Sequence, residues 1–487
     1  DIVDLLYKEC WNNGLHTFMI STITDARISY KELFQKSVSL AHFFHAFGAR
    51  PGQVVAIFTE DSIAAGACIL ATFYVGATAA IIPTDFNLAE VVRILTTCNP
   101  CLIFSDFDAL DQVKEAATAL RHPVKIITPR GVEPCVDFYS LLVYNSTAYK
   151  THVTVEPKRH CLAVLFIKDP SGKNKSVLLS SDTLKRWVYG VRDSWNLSRL
   201  TLLLKCSTTT VTGLCFFLAS ILGCSTLVNT EDDSSEGLLR AICDFEVSFT
   251  FMPPELLLTL ADFPILAHHD LCKLQTIATS GAFLTANQHI YLADKLCQNR
   301  IKLVQSYGFS DTGLLILDPS GQMRFGSPGK QAGVKFVKIV DKDSEYYVTL
   351  RDTASRYGPE WSSPAGLLLD SNNLMLVGSM TEFSDEGWMF VISRIIQADF
   401  KSKDKQTVIE DALIIKYPAV YEVAVIGKPM AFVTQLSGTH LIGQELVRYL
   451  SARSTEHAQS NYGLHQVDGF PKMPSEHVIQ RLSSIQV

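Results

Sequence analysis

The chain has no basic cluster, no acidic tail, no low-complexity segment and no internal repeat in its 487 residues. Those absences remove nucleic-acid readers, charged tails and solenoids from consideration. The 43 lysines and arginines against 49 acids leave a net charge of −6, which points the same way. Cysteine is not scarce, at twelve, but it forms no metal-site spacing. Cys98 and Cys101 make one Cys-Asn-Pro-Cys, and no second pair completes a zinc site. The cysteines sit mostly in apolar segments, as at Cys68, Cys215 and Cys243, and read as small buried thiols. The C-terminal Ser-Ile-Gln-Val is not a peroxisomal signal. Sequons at Asn145, Asn174 and Asn196 leave both a cytoplasmic and a secreted location open.

Long uncharged runs are few. One spans Ser62 to Thr84 and another Cys206 to Thr230, each long enough to cross a bilayer. Gly, Ser and Thr interrupt both, and each divides into a buried helix followed by a strand, so no membrane span is expected. The same alternation continues through Ile103–Phe104, Ile126–Ile127 and Val247–Phe251. Strands alternating with helices imply an α/β fold with parallel sheets covered by helices. Ile28-Ser29-Tyr30-Lys31-Glu32 predicts a helix start after a short strand. A polar linker at Gln397–Gln406 precedes a renewed helix–strand–helix pattern, which places a domain boundary at Ser393–Arg394.

The chemistry-bearing stretch is Cys161 to Ser181. An apolar run, Leu162–Ile167, enters a short Ser/Gly/Lys loop and Val177–Leu179 leaves it. Ser171, Gly172, Lys173 and Lys175 suit an anion: small residues expose backbone N–H groups, and hydroxyl and ammonium groups add donors and charge. Asp169 would repel a phosphate, and Pro170 has no N–H to donate. Taken alone, the stretch reads first as an ordinary surface hairpin.

Five further segments accompany it in order: Ile277–Leu284, Gln305–Thr312, Gly387–Arg394, Pro418–Ile426 and Phe470–His477. Together they resemble the adenylate-forming superfamily of acyl- and aryl-CoA synthetases, beetle-type luciferases and peptide-synthetase adenylation domains. The resemblance spans nearly the whole chain. It implies a large N-terminal domain (1–393) of parallel-sheet α/β subdomains with a β-barrel-like part. A small, shortened α+β lid (394–487) would follow it. It also implies joining of a carboxylate to the α-phosphate of ATP, with magnesium. On that pattern Ser171, Gly172 and Lys175 would hold the β- and γ-phosphates. Ser310 and Asp311 stand for a Thr-Glu pair, with Asp311 as the magnesium ligand. Tyr307, with Gly308 after it, would stack on adenine, against the Thr279, Ser280, Gly281 and Ala282 strip.

Departures from the pattern fall on reactive positions. Lys168, Asp169 and Pro170 replace small loop residues, and Ser176 replaces a glycine. Ser379 stands for the aspartate that holds the ribose. Arg394 is kept, but Ser393 replaces the acid before it. The post-hinge segment Phe400–Gln406 has no glycine, which puts CoA in doubt. Thr209–Thr210 lie near the position of an aromatic or histidine on the acyl-pocket wall. At the C-terminal motif Glu476 stands for glycine and His477 for the lysine that neutralises the transition state. The expectation is an acyl-CoA synthetase/luciferase-like fold that has lost efficient carboxylate activation. It would serve as a pseudoenzyme that binds a small hydrophobic ligand or takes part in an assembly with a protein partner. The alternative is an active synthetase or luciferase-like enzyme using ATP and magnesium through an altered site. A ligand-storing extracellular glycoprotein is a third possibility.

Overall fold

The computed structural model describes residues 1–59, 62–129, 135–138, 160–168, 174–264, 271–281, 284, 286–297, 300–309, 313–317, 327, 329–331, 336–342, 345–351, 379–383, 389–394, 420–426, 430–435 and 463–466. Helix α1 (Ile2–Asn12) leads to strands β1 (Thr17–Ser21) and β2 (Arg27–Ser29), then helix α2 (Tyr30–Ala46). The start of α2 is the predicted capping box. The Ser29 hydroxyl accepts from the Glu32 N–H at 3.2 Å, and the Glu32 carboxylate accepts from the Ser29 N–H at 2.7 Å.

Next come β3 (Val54–Phe58), α3 (Ser62–Tyr74), β4 (Thr78–Ile81), α4 (Leu88–Cys98), β5 (Leu102–Ser105), α5 (Phe107–Ala117), β6 (Lys125–Thr128) and β7 (Val136–Asp137). A hairpin of β8 (Cys161–Lys168) and β9 (Asn174–Ser180) follows, then α6 (Ser181–Ser194). A second array repeats the plan: β10 (Thr201–Leu204), α7 (Val211–Leu222), β11 (Thr226–Asn229), α8 (Ser235–Asp244), β12 (Phe249–Phe251), α9 (Pro254–Ala261), β13 (Thr276–Thr279), α10 (Ala286–Leu292) and β14 (Lys302–Phe309). Strands β15 (Gly313–Leu317) and β16 (Lys330–Gln331) finish it.

Both long uncharged runs divide as expected, into α3 with β4 and into α7 with β11. Among the described residues no helix is long and apolar enough to cross a membrane.

Two mixed, mainly parallel sheets result. One has seven strands in the order β7-β6-β5-β3-β4-β8-β9, and the other nine, β16-β15-β14-β13-β12-β10-β11-β1-β2. Each contains six parallel strands, five of them in a second-first-third-fourth-fifth arrangement, the doubly wound order that leaves a crevice where the winding reverses. In the nine-stranded sheet that point lies between β10 and β12. Three cores stack around the sheets. The central one joins both inner faces through α1, α2, α3, α6 and α7. A second lies under α8, α9 and α10, and a third under α4 and α5. Strand residues alternate between cores: Ala278 and Val304 face the central one, Ile277 and Leu303 the α8–α10 side.

The C-terminal part contributes smaller pieces. Ser379–Phe383 pairs antiparallel with Met389–Arg394. Val420–Ile426, Met430–Gln435 and Gly463–Gln466 form a three-stranded sheet. The two helices of the helix–strand–helix pattern expected after the Gln397–Gln406 linker lie outside the described residues. None of the twelve cysteines is joined in a disulfide, and no group of metal-ligating side chains gathers among the described residues.

Candidate nucleotide site

The ends of β13 and β14 bring the predicted adenine strip and its tyrosine together. The strands run parallel with Thr279 opposite Gln305. Just beyond this pair the chains are tied reciprocally. The Ser280 hydroxyl donates to the Ser306 carbonyl at 3.1 Å, and the Ser306 hydroxyl donates to the Thr279 carbonyl at 3.2 Å. Gly281 then turns with φ +100°, a conformation that favours glycine, and a Cβ placed there would meet nothing within 4 Å.

Side-chain parity decides what faces that guest. Thr279, Gln305 and Tyr307 follow Ile277 and Leu303 at intervals of two, so all three project to the α8–α10 side of the sheet. Tyr307 is half-buried, and a bulge between Tyr307 and Gly308 bends β14 directly after it. Thr279 and Gln305 are 0% and 4% exposed, and among the described residues neither the Thr279 Oγ1 nor the Gln305 Oε1 has a hydrogen-bond partner. Two adjacent buried groups in want of partners are unusual and mark this row for a guest or an ordered water. Gln305 carries no role in the sequence reading. Its spacing of two from Tyr307, at the end of an apolar strand, is the signal that would have flagged it.

Helix α10 covers the same face with His289, which is 2% exposed and hydrogen-bonded to the Leu303 backbone. Burial pushes its imidazole from 6.5 down to about 4. The unfolded chain therefore takes up the proton first as pH falls. The contribution of this group is whole above about pH 6.5 and is lost on descent toward 4, by about 3 kcal/mol in all. Urea midpoints between pH 7 and 4.5 are expected to fall less for His289→Gln than for the native chain. Parallel pH slopes would remove His289 as the cause.

The crevice between β10 and β12 is lined by the 205–210 loop. Three of its hydroxyls are held within the loop and the helix start after it. Ser207 Oγ and Thr209 Oγ1 share a 2.8 Å hydrogen bond, while the Thr210 hydroxyl donates to the Ser207 carbonyl at 2.8 Å and accepts from the Gly213 N–H at 3.0 Å. Gly213 is required here, because a Cβ would lie 1.9 Å from the Ser207 oxygen. Lys205, missed in the sequence, is equally committed. Its Nζ donates to the Thr230 carbonyl at 3.0 Å and pairs with Asp233. The loop thus presents a neutral wall.

The remaining predicted residues divide in two. Ser379 and Arg394, far apart in sequence, are opposite each other in one antiparallel pair. Lys175 stands in β9 opposite Ile167. Ser171, Gly172, Ala282, Ser310, Asp311 and His477 lie outside the described residues, as does Glu476. Ser176 is 2% exposed, and its hydroxyl has no partner among the described residues.

A family model described as AMP-binding enzyme matches residues 12–353. The chain belongs to the AMP-binding enzyme family. Among similar proteins, luciferin 4-monooxygenase of Luciola mingrelica is 22% identical over 490 residues, covering 93% of this chain and 88% of that protein. The 4-coumarate--CoA ligase-like 2 of Arabidopsis thaliana is 22% identical over 503 residues, covering 96% and 87%. The anthranilate CoA ligase AuaEII, solved with anthranoyl-AMP, superposes with a TM-score of 0.81 at 16% identity, over 99% of this chain and 97% of that one. The luciferase-like enzyme of the nonluminescent Zophobas morio mealworm gives 0.73 at 18%, over 82% and 96%. At these identities the solved structures establish the fold: α/β with mixed, parallel-dominated sheets.

Proposed function

We propose that this AMP-binding-family chain has lost efficient ATP-dependent activation of carboxylates. It works as a pseudoenzyme, keeping a remnant nucleotide pocket beside a neutral pocket for a small hydrophobic ligand, or serving in an assembly. One observation carries this reading. The slot at Thr279–Gly281 and Tyr307 is kept, while Glu476 and His477 replace the glycine and lysine that would meet the developing charge. In adenylation two anions approach, so the reaction depends on positive charge placed between them. Lys205, the one cation of the crevice loop 205–210, is committed to Thr230 and Asp233. Residues 394–487 act as the small lid, hinged at Ser393–Arg394.

ATP would supply the leaving pyrophosphate, and magnesium would screen it. Ser171, Gly172, Lys175 and Ser310 would contact phosphate, Asp311 the metal, and Ser379 with Arg394 the ribose side. The related luciferases and CoA ligases motivate the competing reading of an active, altered enzyme.

Pyrophosphate exchange by the purified chain with magnesium ATP separates the two. A panel of aliphatic, aryl and hydroxycinnamic acids supplies the carboxylate. Background exchange across the panel supports the pseudoenzyme. Saturable, carboxylate-dependent exchange overturns it.

A further inference from the structure

We propose that the pole of the seven-stranded sheet where its strands begin is a docking surface for an anionic lipid bilayer. Arg50, Arg121 and Lys125 supply the charge, around the rings of Phe43 and Phe47. The cluster does not exist in the linear order, where Arg50 and Arg121 belong to separate segments.

Topology assembles it. Strands β3, β4, β5 and β6 run parallel, with Val54 opposite Thr78, Val55 opposite Leu102 and Leu102 opposite Lys125. The loops that enter them therefore share one pole. The Thr78 N–H donates to the Gln53 carbonyl at 2.9 Å, and the Cys101 N–H to the Val54 carbonyl at 2.9 Å, which holds neighbouring loops side by side. Those loops, 47–53, 75–77, 99–101 and 118–124, contain no Asp or Glu, although the chain as a whole has more acids than bases. The nearest acid along the chain is Glu115, in the last turn of α5.

The cations stand among aromatic rings. Lys125 Nζ lies 4.9 Å from the centroid of Phe47, at the end of α2, and the Phe43 ring is 6.4 Å from that of Phe47. Both rings are half-buried. Arg50 closes the same helix end, donating to the His45 carbonyl and, at 2.8 Å, to the Ala49 carbonyl. It also reaches the start of β5, where burial pushes the Cys101 thiol up and the Arg50 charge pulls against it. A cation at a helix C-terminus is favoured by the helix dipole, and that accounts for part of Arg50. It does not account for Arg121 and Lys125. They follow the end of α5, are exposed, and make no salt bridge among the described residues.

Charge and rings together indicate the occupant. A bilayer with acidic headgroups sets anions above hydrocarbon, and so matches the cations and the half-buried rings at once. An acidic protein would answer the charge alone. The net charge of −6 does not oppose docking. At physiological salt, charges farther away than about 8 Å are largely screened, so the bilayer meets this pole rather than the chain's total.

Cosedimentation of the full chain with phosphatidylcholine vesicles, with and without phosphatidylserine, is the test. Binding is expected only with phosphatidylserine, and is expected to vanish as salt approaches 1 M, where the screening length is about 3 Å. Arg121→Gln with Lys125→Gln is expected to lower partitioning about twentyfold, from about fivefold for each cation, with the unfolding midpoint unchanged. Arg300→Gln with Lys302→Gln removes the same charge from exposed positions on the nine-stranded sheet, and is expected to leave partitioning as it was. Unchanged binding of the first pair, or an equal loss in both, overturns the role of this pole. Equal binding to both kinds of vesicle, or to neither, overturns the lipid surface. Retention on immobilised polyglutamate without vesicle binding would assign the pole to an acidic protein and overturn the proposal as well.

Discussion

Restoring the glycine and lysine of the C-terminal motif, as Glu476→Gly with His477→Lys, is expected to raise carboxylate-dependent pyrophosphate exchange about 10²–10³-fold over the native chain. The reasoning is electrostatic. When a carboxylate attacks the α-phosphate, negative charge accumulates between two groups that already repel. A lysine at 477 is cationic throughout the neutral range, whereas an ordinary histidine is mostly neutral there. Glu476 brings a further negative charge to the same place, so removing it acts in the same direction. Rates belong at saturating ATP, so that a weak grip on triphosphate does not mask the chemical step. A pH series adds a second readout. If protonated His477 stands in for lysine, native exchange rises below pH 7 and the lysine variant loses that rise. A double variant that stays at the native level would place the defect elsewhere, in the 168–176 loop or at Ser379.

Replacing Phe216 with alanine is expected to cost about 3–5 kcal/mol of stability. Phe216 is fully buried in the central core. Its ring lies 4.9 Å from Phe251, 5.9 Å from Phe249 and 6.3 Å from Trp195, centroid to centroid. Helix α7 therefore docks on β12 largely through this one side chain, and alanine leaves a cavity that neighbours on a rigid sheet cannot fill. Denaturant titration is the measurement. Phe107→Ala, at a position 44% exposed, supplies the contrast, with a change within about 0.5 kcal/mol. Equal midpoints for the two variants would mean that the α7–β12 contact carries no special share of stability.

Much of the architecture was legible in the residue order because its causes are local. The Ser29–Glu32 box is a three-residue spacing, and it starts α2 where expected. Gly, Ser and Thr in the two uncharged runs mark where helix gives way to strand, and both breaks occur there. Family membership was legible for a different reason. Six loosely similar segments in one order constrain a fold more than any one of them does.

The site was only half legible. Tyr307 and the 279–281 strip lie on adjacent strands, β14 and β13, since each motif ends a strand. Gln305 passed without a role although it stands two residues from Tyr307, because nothing in a linear string says that its amide oxygen lacks a partner among the described residues. Lys205 was overlooked for the same reason. A lysine after a strand reads as solvated until Thr230 and Asp233, 25 and 28 residues later, are seen to hold it.

The sequence by itself determined the elements, the α/β class, the family and the list of altered reactive positions. Each of these depends on residue type and short spacing. The tertiary structure alone decided which strands lie side by side, as when Met19 of β1 meets Leu227 of β11, and which polar groups that pairing buries. Register between distant strands is a collective outcome of packing, and the Thr279–Gln305 pair exists only once β13 and β14 have settled into theirs.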